Sequence, residues 1–206
     1  MEENGVKLYS ISERLPLKCV SASPVLFDYA CDNHINSYEG GKYMIDHLTY
    51  ADYDAKTYPD YITFPVVFRI FDGSKLSDII SMRYTGMSAL ISDHVVEVLR
   101  QNNLTGWSTY PIVLLDKKGN AIGGYHGFTV TGRAGGVIEL VPENEIVFEQ
   151  RYKYQQWELS SWDGSDFAHI KGRYETICTE RVRIAIKNAG IKGLRFDPFD
   201  QEVTII

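Results

Sequence analysis

The 206-residue sequence has few cysteines, no long hydrophobic run and no signal-peptide pattern. Its three cysteines, Cys19, Cys31 and Cys178, are odd in number and widely spaced, which argues against a disulfide framework. No stretch approaches the roughly 18 uninterrupted apolar residues of a membrane-spanning helix. The first residues, MEENGVKLYS, are acidic and polar, unlike the basic and then apolar start of a signal peptide. We therefore expect a cytoplasmic protein with no membrane partner.

The sequence also lacks the common local signatures of catalysis and metal binding. It has no GxSxG motif, no GxxxxGK[ST] phosphate loop, no HExxH and no paired CxxC. Cys31 and His34 have a spacing that a metal ion can use, but no second pair of ligands follows at a sensible spacing. We therefore assign no catalytic residue, no metal site and no cofactor.

One histidine still deserves consideration as a general base. His126 lies in a predicted strand between Tyr125 and Gly127, and catalytic groups can assemble in space without a local motif. The simpler interpretation is a histidine that is hydrogen-bonded at a sheet surface. Whether the protein is an enzyme stays open, and we favour a non-catalytic protein.

Two segments, residues 91–111 and 178–198, follow the same pattern 87 positions apart. Each opens with a hydroxyl residue, Ser92 or Thr179, that can cap a helix, and an acidic residue follows where the helix dipole is positive. Apolar residues then recur at helical spacing, before a turn and a strand.

This pattern predicts helices at about 92–102 and 179–189. It also fits an internal helix-turn-strand repeat, although any capped amphipathic helix followed by a buried strand would look similar.

Strand patterns dominate the remaining sequence. Residues 62–71 predict a buried strand with Pro65 at an edge or bulge, and IVLLDKKGNAIGGYHGFTV predicts a hairpin. Lys75 to Ile80 is predicted to form a short helix. The fold class is therefore α+β, with a mainly antiparallel sheet and two principal helices.

The candidate domain boundary, which the sequence marks only weakly, lies near residues 60–66. We divide the chain into an acidic, strand-rich N-terminal region, residues 1–65, packed on an α+β domain, residues 66–206.

Charge is distributed unevenly around a net value of −6. Residues 1–60 hold ten acidic against five basic side chains, whereas residues 171–195 hold seven basic against two acidic ones. An acidic face can attract a basic partner, and a basic face can attract phosphate. Solvation of both regions, or contact between them, is the simpler alternative.

The segment ICTERVRIAIKNAGIKGLRFDPF, residues 177–199, resembles the C-terminal signature of a bacterial immunity-protein family from polymorphic toxin systems. Residues 91–132 are similar to an earlier helix-and-strand segment of that family, and the resemblance covers about residues 70–206. The matching letters are helix caps, turn glycines and core apolar residues, which report fold more than function. The resemblance implies a protein that binds a toxin domain and brings no catalytic residue.

This resemblance makes a cognate toxin domain the expected partner, and nucleic acid is not expected. The acidic N-terminal region suits a basic toxin such as a nuclease. The candidate partner-binding residues are Asp46, Tyr50, Asp52, Tyr53, Asp54 and Asp60. The alternative is a small-molecule-binding module or an enzyme, with a pocket between the two helix-strand segments that uses His126 and nearby Asp or Tyr residues. The oligomeric state stays open.

Overall fold

The computed structural model describes residues 6–14, 16, 18–25, 48–50, 58, 60, 62–82, 87–135, 137–140, 152–156, 161–170 and 175–199. The strands are β1 (Leu8–Glu13), β2 (Ser21–Pro24), β3 (Val66–Asp72), β4 (Ile79–Ser81), β5 (Ala89–Ser92), β6 (Trp107–Tyr110), β7 (Ile112–Leu115), β8 (Ala121–Ile122), β9 (Tyr125–Val130), β10 (Arg133–Ala134), β11 (Val137–Leu140), β12 (Tyr152–Gln156), β13 (Phe167–Ile170), β14 (Thr176–Thr179) and β15 (Leu194–Pro198). The labelled helices are α1 (Asp93–Gln101) and α2 (Glu180–Asn188), and residues 48–50 are also helical.

In the largest sheet among the described residues, two strands near opposite ends of the strand order are joined by a short connection. The strand order of this sheet is β6–β9–β5–β4–β2–β3–β7–β8. Tyr110 ends β6 and Ile112 begins β7, so the Cα atoms of these two residues are at most about 7 Å apart. β6 and β7 lie near opposite ends of the strand order. Strand alternation then directs one face inward. On β3, Val66, Phe68 and Ile70 are buried in the enclosed core, whereas Phe71 is exposed.

The five-stranded sheet has the order β10–β13–β14–β1–β15. The N-terminal strand β1 lies between β14 and β15 and is antiparallel to both. Because β14, α2 and β15 are consecutive in the chain, α2 carries the chain across β1. β2 joins the eight-stranded sheet, and β11 and β12 form a separate pair.

The same arrangement occurs in the eight-stranded sheet. There α1 connects β5 to β6, and β9 lies between these strands and is antiparallel to both. The strand registers also correspond. Ser92 pairs with Tyr125 as Thr179 pairs with Leu8. Trp107 pairs with Val130 as Leu194 pairs with Glu13. The turns after the helices also correspond, with positive φ at Asn103 and Gly106 and at Gly190 and Gly193.

Apolar side chains from both helices and both large sheets form one continuous core. α1 and α2 contact each other and present their buried faces to it. Each fully buried aliphatic side chain contributes about 1.5–3 kcal/mol relative to an exposed one. The helical members are Val95, Val96, Val98, Leu99, Val182, Ala185 and Ile186.

The structure confirms most of the predicted elements. Nine of the twelve strand pairs among the described residues are antiparallel, so the α+β class with a mainly antiparallel sheet is confirmed. Both helices are found where they were predicted. The hairpin of β7 and β8 is also present, with Gly119 at positive φ in its turn.

The short helix predicted at Lys75 to Ile80 is wrong. Residues 75–78 contain no helix, and Ile79 and Ile80 begin β4, which pairs with β5. The two isoleucines are buried on opposite faces of the sheet, one in each of the two larger cores. A strand buried on both faces has consecutive apolar residues, so its pattern resembles that of a short buried helix.

No helix among the described residues is long and apolar enough to cross a membrane.

Candidate functional site

The start of α1 is a solvent-open polar cluster. Ser92 Oγ accepts a hydrogen bond from Val95 N at 3.4 Å, as predicted for a helix cap, and donates to Asp78 Oδ1 at 2.7 Å. His94 Nδ1 lies 3.3 Å from the same carboxylate oxygen. The Asp78 side chain is 34% exposed and the His94 side chain 50%.

The candidate general base His126 lies beside this cluster. Its Nε2 atom is 2.6 Å from Oδ1 of Asp93, the first residue of α1. A carboxylate that orients one ring nitrogen leaves the other able to accept a proton. Among the described residues, however, no hydroxyl or thiol is hydrogen-bonded to His126, so this pair activates no nucleophile there.

The start of α2 has the same construction, but its carboxylate is buried. Thr179 Oγ1 donates to Asp166 Oδ1 at 2.7 Å, and Thr105 N donates to Oδ2 at 2.9 Å. Asp166 thus corresponds to Asp78, and both accept from the residue at the N-cap position. The prediction that the Thr179 side chain caps α2 is wrong, because its hydroxyl binds Asp166 instead of a helix N–H.

Arg181 connects the two helices. One guanidinium nitrogen lies 3.0 Å from Asp166 Oδ2, and the other donates to Asn102 O, also at 3.0 Å, at the end of α1. A cation at this position satisfies a carbonyl that the helix end leaves free. The Asp166 side chain is 3% exposed. We therefore assign these residues a structural role in joining two units, the first formed by β5, α1, β6 and β9 and the second by β14, α2, β15 and β1.

The positions of Asp93 and His126 are occupied in the second unit by Glu180 and Tyr9. Glu180 forms an ion pair with Arg183, whose guanidinium lies 5.2 Å from the centre of the Tyr9 ring. The Arg183 hydrogen bond lowers the pKa of Glu180 to about 2, and the hydrogen bond to Glu180 raises the pKa of Tyr9. The same two positions thus carry an imidazole–carboxylate pair in one unit and a phenol–carboxylate–guanidinium group in the other.

A shallow cleft of about 290 Å³, largely open to solvent, lies where the two units meet. Its polar wall is made of hydroxyl residues, glycines and one carboxylate. A Cβ at Gly106 or Gly132 would come within 2.0 Å of Phe167 O, so only glycine fits at either position. His126 does not line this cleft. The lining residues are Thr105, Gly106, Thr131, Gly132, Asp163, Gly164 and Ser165.

Only two of the predicted partner-binding residues are among the described ones. Asp60 is exposed. Tyr50 is buried, 4% exposed, and its ring stacks on His169 at 4.0 Å between centroids. Asp46, Asp52, Tyr53 and Asp54 lie outside the described residues, so the acidic surface stays a prediction.

Tyr50 belongs to a buried polar group that the sequence did not reveal. Arg133 is 6% exposed and donates to Tyr50 O at 2.6 Å and to Val130 O at 2.8 Å. Burial, together with the Arg133 charge, lowers the pKa of His169 to about 4. This group attaches the helical residues 48–50 to the sheets.

The described part of the chain gives little support to metal binding or to a reactive thiol. No group of three or more His, Cys, Asp or Glu side chains there could hold a metal ion. Cys178 is buried, and burial raises the pKa of its thiol, which keeps it protonated at neutral pH. Cys31 and His34 lie outside the described residues.

The sequence matches no protein-family model and no curated protein.

Proposed function

We propose that the protein is a cytoplasmic, immunity-like protein that neutralises a cognate toxin domain by binding it, without chemistry. The resemblance carried by residues 91–132 and 177–199 supports this function. The observation that carries it is the contrast between the two helix-strand units. Their strand registers and the N-cap hydrogen bonds to Asp78 and Asp166 correspond, whereas exposed positions differ, as at Glu97 and the corresponding Ile184. Recognition depends on exposed side chains, so one scaffold with divergent surfaces suits a binding protein.

We further propose that the two units arose by internal duplication. Ser92 N donates to Asp78 O and Thr179 N donates to Asp166 O, each at 2.9 Å. The hydroxyls of the same two donors bind the same two carboxylates. The corresponding residues are 87 or 88 positions apart. The periodic spacing of apolar residues in a helix and a strand does not by itself produce such contacts. The β1 strand would then take the place in the second unit that β9 has in the first.

The toxin-binding surface in this proposal is the acidic N-terminal region. It comprises Asp46, Asp52, Tyr53, Asp54 and the exposed Asp60, with a basic toxin domain as the partner. Tyr50 is buried and is therefore not part of this surface. Opposite charges accelerate association and favour the correct partner.

A titration of toxin activity tests the mechanism. Purified toxin domain, encoded beside the gene of this protein, is assayed against increasing amounts of the protein. Neutralisation by binding predicts that inhibition is complete at a fixed stoichiometric ratio and that the two proteins co-elute. Inhibition at amounts far below one equivalent would show turnover and contradict a non-catalytic mechanism.

Charge reversal tests the surface. Asp52→Lys combined with Asp54→Lys should slow association with the toxin at least tenfold at low salt, and the effect should weaken at high salt. Lys117→Asp combined with Lys118→Asp, in the exposed turn between β7 and β8, changes charge at residues that are not part of the proposed surface and should leave the on-rate within twofold. An unchanged on-rate for the first variant would exclude this surface.

A small-molecule-binding function is the second candidate, because the protein has a cleft of about 290 Å³. Its hydroxyl and carboxylate lining suits a small polar ligand. A panel of sugars, amino acids and nucleosides should then raise the melting temperature, because a ligand that binds only the folded state stabilises it. Replacing Ser165 by Leu should abolish that shift, and no shift with any compound would remove this candidate.

A further inference from the structure

One face of α2 presents an isoleucine to solvent. Glu180, Arg183, Ile184 and Lys187 follow the three- and four-residue spacing that places side chains on one helical face. Ile184 is 46% exposed. The corresponding residue of α1 is Glu97, which is exposed and accepts a hydrogen bond from Gln101. An ordinary solvated side chain therefore occupies this position in one unit and a large apolar one in the other.

Three basic residues lie on or beside this face of α2. Lys187 is exposed one turn further along α2. Lys7 lies at the start of the helix, where its carbonyl accepts from Glu180 N and its charge helps to lower the pKa of Glu180. Arg183 lies over Tyr9 and is paired with Glu180. The face thus combines one apolar side chain with a positive rim.

We propose that this face of α2 is a docking surface for an acidic protein, in which Ile184 enters an apolar depression bordered by carboxylates. The proposal uses different residues from the proposed toxin surface and does not depend on it. A charged rim around an apolar centre is the usual composition of a protein–protein contact. Charge complementarity identifies the partner, because Lys7, Arg183 and Lys187 outnumber Glu180 on this face.

The same features favour a protein over a nucleic acid. Nucleic-acid affinity comes mainly from cations that neutralise phosphates. Here the face carries only three cations among the described residues, one of them paired with Glu180, which is few for a phosphate backbone. An exposed isoleucine adds nothing to phosphate binding but is a suitable anchor in a protein interface.

Nuclear magnetic resonance of the full-length protein tests this surface with a defined probe. The probe is a 21-residue amphipathic helical peptide with Leu on one face and Glu on the other, titrated into ¹⁵N-labelled protein. Binding should shift the amide signals of α2 and of residues 6–9. The variants Ile184→Glu and Lys187→Glu should each weaken binding at least tenfold.

Matched controls distinguish binding of the peptide at this surface from non-specific attraction between the peptide and the protein. Leu76→Glu places the same change at a site of equal exposure, 44%, and Lys117→Glu reverses charge in a remote turn. Both should bind the peptide within twofold of the unaltered protein. Absence of α2 shifts, equal weakening by the controls, or shifts of the same α2 signals by a 20-base-pair DNA duplex but not by the peptide would each overturn the proposal.

Discussion

The guanidinium of Arg181 lies 3.0 Å from the carboxylate of Asp166, whose side chain is 3% exposed, whereas that of Arg181 is 59% exposed. The buried carboxylate also accepts from Thr179 and Thr105. It thereby links the start of α2 to the end of α1 and the strand that follows. Removing the carboxylate charge should therefore affect both units.

We predict that Asp166→Asn lowers the free energy of unfolding by about 2–4 kcal/mol, because buried donors lose a charged acceptor. Asp78→Asn removes the corresponding carboxylate at a solvent-open site and should cost less than about 1 kcal/mol. Urea denaturation at pH 7 measures both. Equal losses in the two variants would contradict the role assigned to Asp166.

Glu13 should make stability depend on pH. Its Oε1 atom is buried without a hydrogen-bond partner among the described residues, and burial raises its pKa to about 8, opposed by a hydrogen bond to Ser81. The unfolded chain ionises Glu13 near pH 4.5, whereas the folded chain keeps it protonated until about pH 8. This group therefore destabilises the folded state increasingly as pH rises between these values.

Comparison with Glu13→Gln isolates that effect. The glutamine variant should be more stable than the unaltered protein at pH 8, by on the order of 2 kcal/mol, and the difference should vanish below about pH 4.5. Unfolding curves collected from pH 4 to pH 9 measure the difference. A difference that does not change with pH would show that the folded protein does not hold Glu13 protonated.

His169 should remain neutral in mildly acidic solution. Burial lowers its pKa to about 4, and Arg133 adds to the effect. The unfolded chain takes up a proton near pH 6.5, so the stability associated with neutral His169 is present above that pH and is lost as pH falls towards 4. Imidazole ¹⁵N shifts should give a midpoint near 4, and a midpoint near 6.5 would contradict its burial beside Arg133.

Two glycines separate the effect of backbone conformation from that of close packing. Gly106 and Gly119 both have positive φ, but a Cβ at Gly106 would lie 2.0 Å from Phe167 O, whereas nothing lies within 4 Å at Gly119. Gly119→Ala should cost about 1 kcal/mol and Gly106→Ala at least about 3 kcal/mol. Thermal unfolding measures both variants, and equal losses would mean that the close approach to Phe167 is not rigid.

The helices were predictable because their signals are local. Ser92 and the apolar spacing that follows it lie within one segment, so α1 could be placed from sequence to within a residue or two. The short helix at Lys75 to Ile80 was predicted wrongly because consecutive buried residues occur in strands and helices alike. β1 could not be placed between β14 and β15, since its partners are more than 160 residues away.

The candidate sites were less predictable than the fold, because their contacts are distant in sequence. Asp166 meets Thr105 across 61 positions, and Arg133 meets Tyr50 across 83. Acidic and aromatic composition drew attention to Tyr50 as a surface residue, but composition does not distinguish an exposed tyrosine from one that packs on a buried histidine. His126 was singled out as a candidate general base, but the carboxylate beside it, Asp93, lies 33 positions away in sequence and could not be identified.

We propose that the protein protects a cell from a toxin by binding it. The most direct measurement is co-expression with the toxin domain encoded beside its gene, followed by growth measurement and affinity purification. The proposal predicts that growth is restored and that toxin and protein are recovered together. Continued growth arrest with every neighbouring toxin domain, and no recovered complex, would contradict it.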